Sequence, residues 1–278
     1  MAIDHLDKPS LTPSEVRSMC RTDQWPFPAT ASCSDGYVQA NLIVLPEKFA
    51  SDFRTFCKRN PVPCPLLGET LPGDPTIPAS LAKAADIRTD CPSYCLYSGG
   101  KYLSTVTSTK EHWKEDSVGF FIGCSYSFEG ALIAAGLVPR HVELGTKVPM
   151  YRTTVPLASA GVFSGTMVVS MRPYPASAIP QIIALTRPYS QTHGEPFAYG
   201  PEGAAALGIT DKDGTKPDFG DASEIREGEV AVYWGCGVTP QNVVMGLGDK
   251  IDGIVMGHEP GQMLILDLKN ADLCETDL

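Results

Sequence analysis

The sequence predicts an α/β protein, a three-layer α/β domain (residues 1–147 and 232–278) interrupted by a smaller two-layer α+β subdomain at 148–231. Three observations carry that expectation. Val118 to Leu132 reads as a buried strand, a Gly-Cys-Ser turn and a helix start. Val230 to Met245 follows the same order through Gly235-Cys236-Gly237. Between them the pattern runs strand, strand, helix, strand, which suits a two-layer α+β unit.

Composition narrows the class. A chain of 278 residues, 43% hydrophobic and 19% charged, can bury the core of one large domain or two intimate ones. A net charge of -10 repels nucleic acid and anionic membrane, so neither is expected as a partner. The start, Met1 to Lys8, holds acids and no apolar stretch, unlike a secretory signal. No apolar run approaches the roughly 18 residues of a membrane span. The nine cysteines are odd in number and scattered. Neither Cys57/Cys64 nor Cys91/Cys95 has zinc-ribbon spacing, so a reduced, cytoplasmic protein with buried thiols and no metal site is expected. No internal repeat is expected. A homo-oligomer is compatible with the sequence.

The elements follow in order. Residues 1–10 are polar and expected to be loose. Thr12 suits a helix N-cap, with Pro13 in the first turn and Glu15 three residues after the cap. Tyr37 to Pro46 reads as a strand that Pro46 stops, and Glu47 to Arg59 as a helix with Phe49, Phe53 and Phe56 on one face. Asn60 to Pro92 is a long Pro-rich irregular stretch carrying the charged patch Asp86-Ile87-Arg88-Thr89-Asp90. Tyr94 to Leu103 reads as a hairpin turning at Ser98-Gly99-Gly100-Lys101. Thr153 to Pro156 and Gly165 to Arg172 are strands, Ala178 to Arg187 a helix, and Phe197 to Tyr199 a further strand. Thr239 to Met245 is helical, and Met263 to Leu268 is the last strand.

At each Gly-Cys turn, free backbone N–H groups and the positive end of a helix dipole would collect, a natural seat for a carboxylate or phosphate. The plainer alternative is that Ser125 or Ser127 caps a helix and Gly123 permits the turn.

Several segments are more specific together than alone: Gly36 to Asn41, Arg59 to Leu67, Ala85 to Asp90, Gly123 to Glu129, Val148 to Thr153, Val168 to Pro173, Lys216 to Asp221 and Trp234 to Gln241. In this order and spacing the chain resembles the D-glutamate cyclase family, from about residue 12 to residue 268. The resemblance implies an α/β enzyme fold with a smaller α+β subdomain, and a lyase that eliminates water. In the named activity the amine of D-glutamate closes on its γ-carboxyl to give 5-oxo-D-proline. The chain departs from the family near its end. Where relatives tend to read His-x-Pro-Gly-His, it has His258-Glu259-Pro260-Gly261-Gln262.

The resemblance assigns no catalytic residues, so the site is read from chemistry. Lactam closure needs a general base, donors for the oxyanion, an acid for the leaving oxygen and cations for substrate carboxylates. Arg88, Arg152 and Arg172 are the candidate carboxylate anchors, by their bidentate forks. Ser125, Ser127 and Thr239 at the two turns, and Asp218, complete the candidate binding set. Glu129, one turn into its helix, is a candidate base; His193 and His258, in Gly/Pro loops, are candidate acids or bases. Cys236, like Cys124, follows a Gly where a helix N-terminus would activate a thiolate. His5, His112 and His141 read as surface or packing residues. The expectation is a cofactor-free lyase for a small amino acid or carboxylate. The alternatives are a same-fold enzyme dehydrating, cyclising or hydrolysing another metabolite, and a non-catalytic carboxylate-binding protein.

Overall fold

The computed structural model describes residues 7–274, so the readings of Met1 to Leu6, His5 included, lie outside the described residues. In chain order the elements begin with helix α1 (Pro13–Arg21), strand β1 (Tyr37–Pro46), helix α2 (Ala50–Arg59) and strands β2 (Leu66–Glu69), β3 (Tyr94–Ser98), β4 (Lys101–Val106) and β5 (Ser117–Gly123). Helices α3 (Tyr126–Ala134) and α4 (Arg140–Leu144), strands β6 (Met150–Pro156) and β7 (Thr166–Pro175) and helix α5 (Ile179–Thr186) follow. The chain ends with β8 (Ala198–Tyr199), α6 (Gly200–Leu207), β9 (Glu229–Gly235), α7 (Thr239–Leu247), β10 (Ile254–His258), β11 (Leu264–Lys269) and α8 (Asn270–Leu273).

Local chemistry explains several of these. Thr12 and Glu15 form a capping box that starts α1. Pro46 and Pro175 end β1 and β7, and each is followed by a short 3-10 turn and a helix. Lys8 to Ser10, expected to be loose, form a 3-10 turn held by the Ser34 amide. Helices α4, α6 and α8 and strand β10 are additions to the elements read from sequence, as is β2, which lies within the stretch Asn60 to Pro92 expected to be irregular. Five residues, a Gly- and Ala-rich run and a strand interrupted by Gly257 each carry too little pattern to stand out.

The fold mixes helices with two antiparallel sheets. The larger runs β2-β5-β1-β10-β3-β4, with β11 pairing the first half of β1 where β10 pairs the second. The smaller runs β6-β7-β9-β8. The expectation that both strand–turn–helix units share one α/β domain needs correction: β5 lies in the larger sheet, but β9 pairs with β7 in the smaller, from Val169 opposite Gly235 to Pro175 opposite Glu229.

The expectation of no internal repeat is corrected as well. Strands β1 and β5 pair with Ala40 opposite Gly123 and Pro46 opposite Ser117, the same register in which Val169 and Pro175 meet Gly235 and Glu229. Gly123-Cys124-x-x-Ser127-x-Glu129 thus matches Gly235-Cys236-x-x-Thr239-x-Gln241. The hydrogen bonds repeat too. The Cys124 amide donates to Gln39 O and the Cys236 amide to Val168 O. Ser127 Oγ accepts from the Gln39 amide at 3.0 Å, and Thr239 Oγ1 from the Val168 amide at 3.1 Å. Side-chain identity has diverged at most positions while register has not, which hides the repeat from a reading of the sequence.

The two halves exchange helices. Phe128 and Leu132 of α3 pack on Val232 and Trp234 of the smaller sheet, beside Ile179 and Ile182 of α5. Val243, Val244 and Leu247 of α7 join Phe53 and Phe56 of α2 in a core cluster that takes in Ile43, Phe120 and Ile122 of the larger sheet as well as Val169 and Met171 of the smaller. The chain crosses at the two Gly-Cys turns, where the backbones touch. A Cβ on Gly123 would lie 2.0 Å from Gln191 O, and one on Gly235 3.0 Å from Val62 O.

Gly123→Ala is therefore expected to cost about 3 kcal/mol of stability in denaturant unfolding. Gly246→Ala, on the exposed side of α7 with nothing within 4 Å, should gain about 0.5–1 kcal/mol. Equal stability of Gly123→Ala and the parent would contradict the close crossing.

Candidate active site

The helix exchange carries one charged side chain into the other half. Glu129 of α3 reaches Arg172 of β7, and both are buried. Arg172 Nε donates to Glu129 Oε1 at 2.9 Å, and its remaining groups reach Ser170 Oγ at 3.2 Å and Ser125 Oγ at 3.0 Å. The guanidinium lies between Phe128 and Trp234, 5.3 and 5.2 Å from the ring centres. Such a pair is costly to bury and costlier to break, because either partner alone would be an uncompensated charge. Burial pushes the Glu129 carboxyl up, but His141 and Arg172 outweigh it and hold the group below its usual range. Glu129 is ionised at neutral pH.

His141 was read from sequence as a surface or packing residue, and the structure corrects this. It is buried on α4 with its Nε2 3.0 Å from Glu129 Oε1, and its ring stacks on Tyr126 at 5.7 Å. The contact is an ion-pair approach without hydrogen-bond alignment. No signal in Arg140-His141-Val142-Glu143 marks it, since a five-residue helix shows no periodic face.

Two cavities flank this pair. One, of about 210 Å³, is lined by Glu129, Tyr126, Gln39, Ser32 and Asn270. In its wall Glu129, Gln39 and Asn270 each keep a buried oxygen (Oε2, Oε1 and Oδ1) without a hydrogen-bond partner among the described residues. Three residues of one cavity thus carry an oxygen shielded from solvent and without a partner among the described residues, a set that a donor such as an ammonium group would satisfy. The other cavity, of about 240 Å³, is lined by His141, Ser32, Lys8 and Thr146.

The position equivalent to Glu129 is Gln241, which reaches across in the reciprocal sense and donates from Nε2 to His258 O at 2.6 Å. His258 stands where β10 leaves β1, its Nδ1 3.2 Å from the Leu42 amide. This second pole holds no charged pair equivalent to Arg172 and Glu129, because Ile43 occupies the place of Arg172. His193 and His258, expected in exposed loops, are both buried. His193 is held by Val62 O at 2.7 Å. Burial pushes each imidazole down to about 4.

The remaining candidates are dispersed. The three arginines do not converge. Arg88 is clamped on Asp86 through Nε at 2.9 Å and Nη2 at 2.7 Å. Arg152 pairs with Asp218 Oδ1 at 2.9 Å and stacks over Phe219, on the surface. Ser127 and Thr239 pin backbone amides, as described above. The amides of Cys124, Tyr126, Ser127 and Phe128 are engaged within the protein, so that helix start is less open to an anion than its pattern suggests. Burial pushes the Cys236 thiol up to about 11 and Cys124 higher, the opposite of activation by a helix N-terminus. Gln262, the departure from the family pattern, accepts from Trp25 Nε1 at 3.0 Å and donates to Phe27 O at 3.1 Å. It tethers the segment leading to Ser32.

The two histidines set a pH dependence. Their folded pKa lies below the unfolded value near 6.5, so the unfolded chain takes up protons first. Stability is complete above about 6.5 and is lost as pH falls toward 4, by up to roughly 3 kcal/mol for each group. Glu129 adds to the loss at the acid end. Denaturant unfolding at pH 7 and pH 5 checks this: His193→Asn and His258→Asn should each flatten the difference, and equal stability of the parent at both pH values would contradict neutral burial.

Comparison with known proteins places the chain in a family. The family model described as D-glutamate cyclase matches residues 118–267, from β5 through β11. A provisionally named hydro-lyase of Schizosaccharomyces pombe is 49% identical over 258 residues, covering 92% of this chain and 84% of that protein. One from Azorhizobium caulinodans is 51% identical over 88% of this chain and 87% of its own length. One from Bacillus subtilis is 46% identical over 95% of this chain and 99% of its own length. No helix among the described residues is long and apolar enough to cross a membrane. The chain belongs to the D-glutamate cyclase family, whose curated relatives carry hydro-lyase names.

Proposed function

We propose that the protein closes D-glutamate, or a closely related small amino acid, to a lactam with loss of water, and that Glu129 is the base. The observation that supports this most is the division of labour within one carboxylate. Oε1 is held by Arg172 and approached by His141, while Oε2 is unpartnered in a residue that lines a cavity rich in acceptors. A carboxylate fixed through one oxygen, unpartnered at the other and ionised at neutral pH is in the form that accepts a proton.

In this reading the substrate ammonium enters the acceptor-lined cavity and gives one proton to Glu129. The freed amine attacks the γ-carboxyl carbon, so a C–N bond forms and a C–O bond breaks. The two protons lost by nitrogen end on the departing carboxyl oxygen, which leaves as water, and no other reactant is needed. His141, touching Glu129 and lining the neighbouring cavity, carries a proton between them. Arg172 acts as a positioning residue, its guanidinium already spent on Glu129, Ser125 and Ser170. The Gln241 pole takes no part, since an amide does not carry a proton at neutral pH.

NMR of the purified protein with D-glutamate and, separately, L-glutamate tests the reading. Oxoproline should form from the D form. Glu129→Gln should lower kcat about a thousandfold, and Gln241→Met, which buries no charge, should leave turnover within a few-fold of the parent. Should Glu129→Gln fail to fold, His141→Asn with an intact circular dichroism spectrum should lower kcat about a hundredfold. No turnover of either isomer by the folded parent overturns the substrate. Turnover insensitive to Glu129 and His141 overturns the site.

A further inference from the structure

The three arginines leave a question of charge. Arg88, Arg152 and Arg172 are each satisfied by a carboxylate of the protein itself. Lys8 is not. Its ammonium lies over the Phe27 ring, 5.4 Å from the centre, and forms no ion pair among the described residues.

Its surroundings are those of a binding wall. Lys8 lines the cavity of about 240 Å³ beside His141, together with Ser32 and Thr146. Ser32 Oγ and Thr146 Oγ1 are buried and have no hydrogen-bond partner among the described residues. Phe27, Pro28 and Val142 supply an apolar remainder, which keeps water from competing with a bound ion. One cation and two residues with unpartnered hydroxyls, which a rotation about χ1 would turn to a ligand, make a donor set, where the neighbouring cavity is lined by residues with unpartnered acceptors.

Ser32 joins the two. It lines both cavities and holds a left-handed backbone conformation, with φ of 59°. That strain for a non-glycine residue is held by Gln39, whose Nε2 donates to Thr30 O at 2.9 Å and Cys33 O at 3.2 Å.

We infer that Lys8, Ser32 and Thr146 form a carboxylate subsite, holding the carboxylate of the substrate that does not react while the reacting end lies at Glu129. The link to Glu129 rests on the proposed function; the subsite does not. A single lysine with two hydroxyls matches one monoanionic carboxylate.

Isothermal titration of the full-length protein with glutarate, and separately with inorganic phosphate, tests the subsite without requiring turnover. Glutarate should bind, and Lys8→Met should weaken it ten- to hundredfold. Lys8→Arg should restore most of the loss, and Thr146→Val should weaken binding by a smaller factor. The unfolding midpoint of Lys8→Met should stay that of the parent, because Lys8 supports no internal ion pair. With D-glutamate as substrate, the Lys8→Met defect should fall on KM more than on kcat. Lys8-dependent glutarate binding without D-glutamate turnover would keep the subsite and remove the proposed reaction. Turnover with Lys8→Met unchanged in KM, no glutarate binding by the parent, or phosphate binding that glutarate does not displace would each overturn the inference.

Discussion

The contact between Glu129 and Arg172 joins the two halves of this molecule and sets the chemistry of its cavity. It forms because α3, while still pinned to β1 through Ser127, packs Phe128 and Leu132 on the smaller sheet. A buried ion pair contributes little net stability, since desolvation offsets the attraction. What it contributes is position. With Oε1 held by Arg172, Ser125 and Ser170 braced on the same guanidinium, and Phe128 and Trp234 enclosing it, Glu129 has one orientation left. Its other oxygen is then the unpartnered one.

The internal repeat gives that arrangement a built-in comparison. Each half sends a helix across, and each helix presents a residue at the same depth, Glu129 in one case and Gln241 in the other. Sheet register, turn and backbone pinning are shared, so the difference between the poles lies in the side chains and in the elements packed around them. One pole has Arg172, Glu129 and His141. The other has Ile43, Gln241 and a neutral His258. The Gly-Cys turns, which look like ligand seats in the sequence, serve as crossing points where two backbones approach too closely for a side chain.

Much of the fold was legible in the sequence because it rests on local signals. The capping box at Thr12, the stop at Pro46 and the strand–Gly–helix order near Gly123 and Gly235 each act within a few residues. What escaped was non-local. That β9 pairs with β7 depends on sheet register, which no single segment encodes. The site divided in the same way. Glu129, Arg172 and Ser125 were singled out, and they meet. His141 and Lys8 were not, because a lone histidine in a short helix and a lysine in a polar leader carry no pattern. The significance of His141 comes from its approach to Glu129 and its stacking on Tyr126, and that of Lys8 from a cavity. His193, His258 and Cys236 were read as reactive for their loop positions, and burial changes that reading.

The most direct test of the account is a crystal structure of the protein with 5-oxo-D-proline. The lactam N–H should lie within hydrogen-bond distance of Glu129 Oε2, with Arg172 still on Oε1. A lactam bound beside Gln241 and His258, with Glu129 Oε2 untouched, would contradict it.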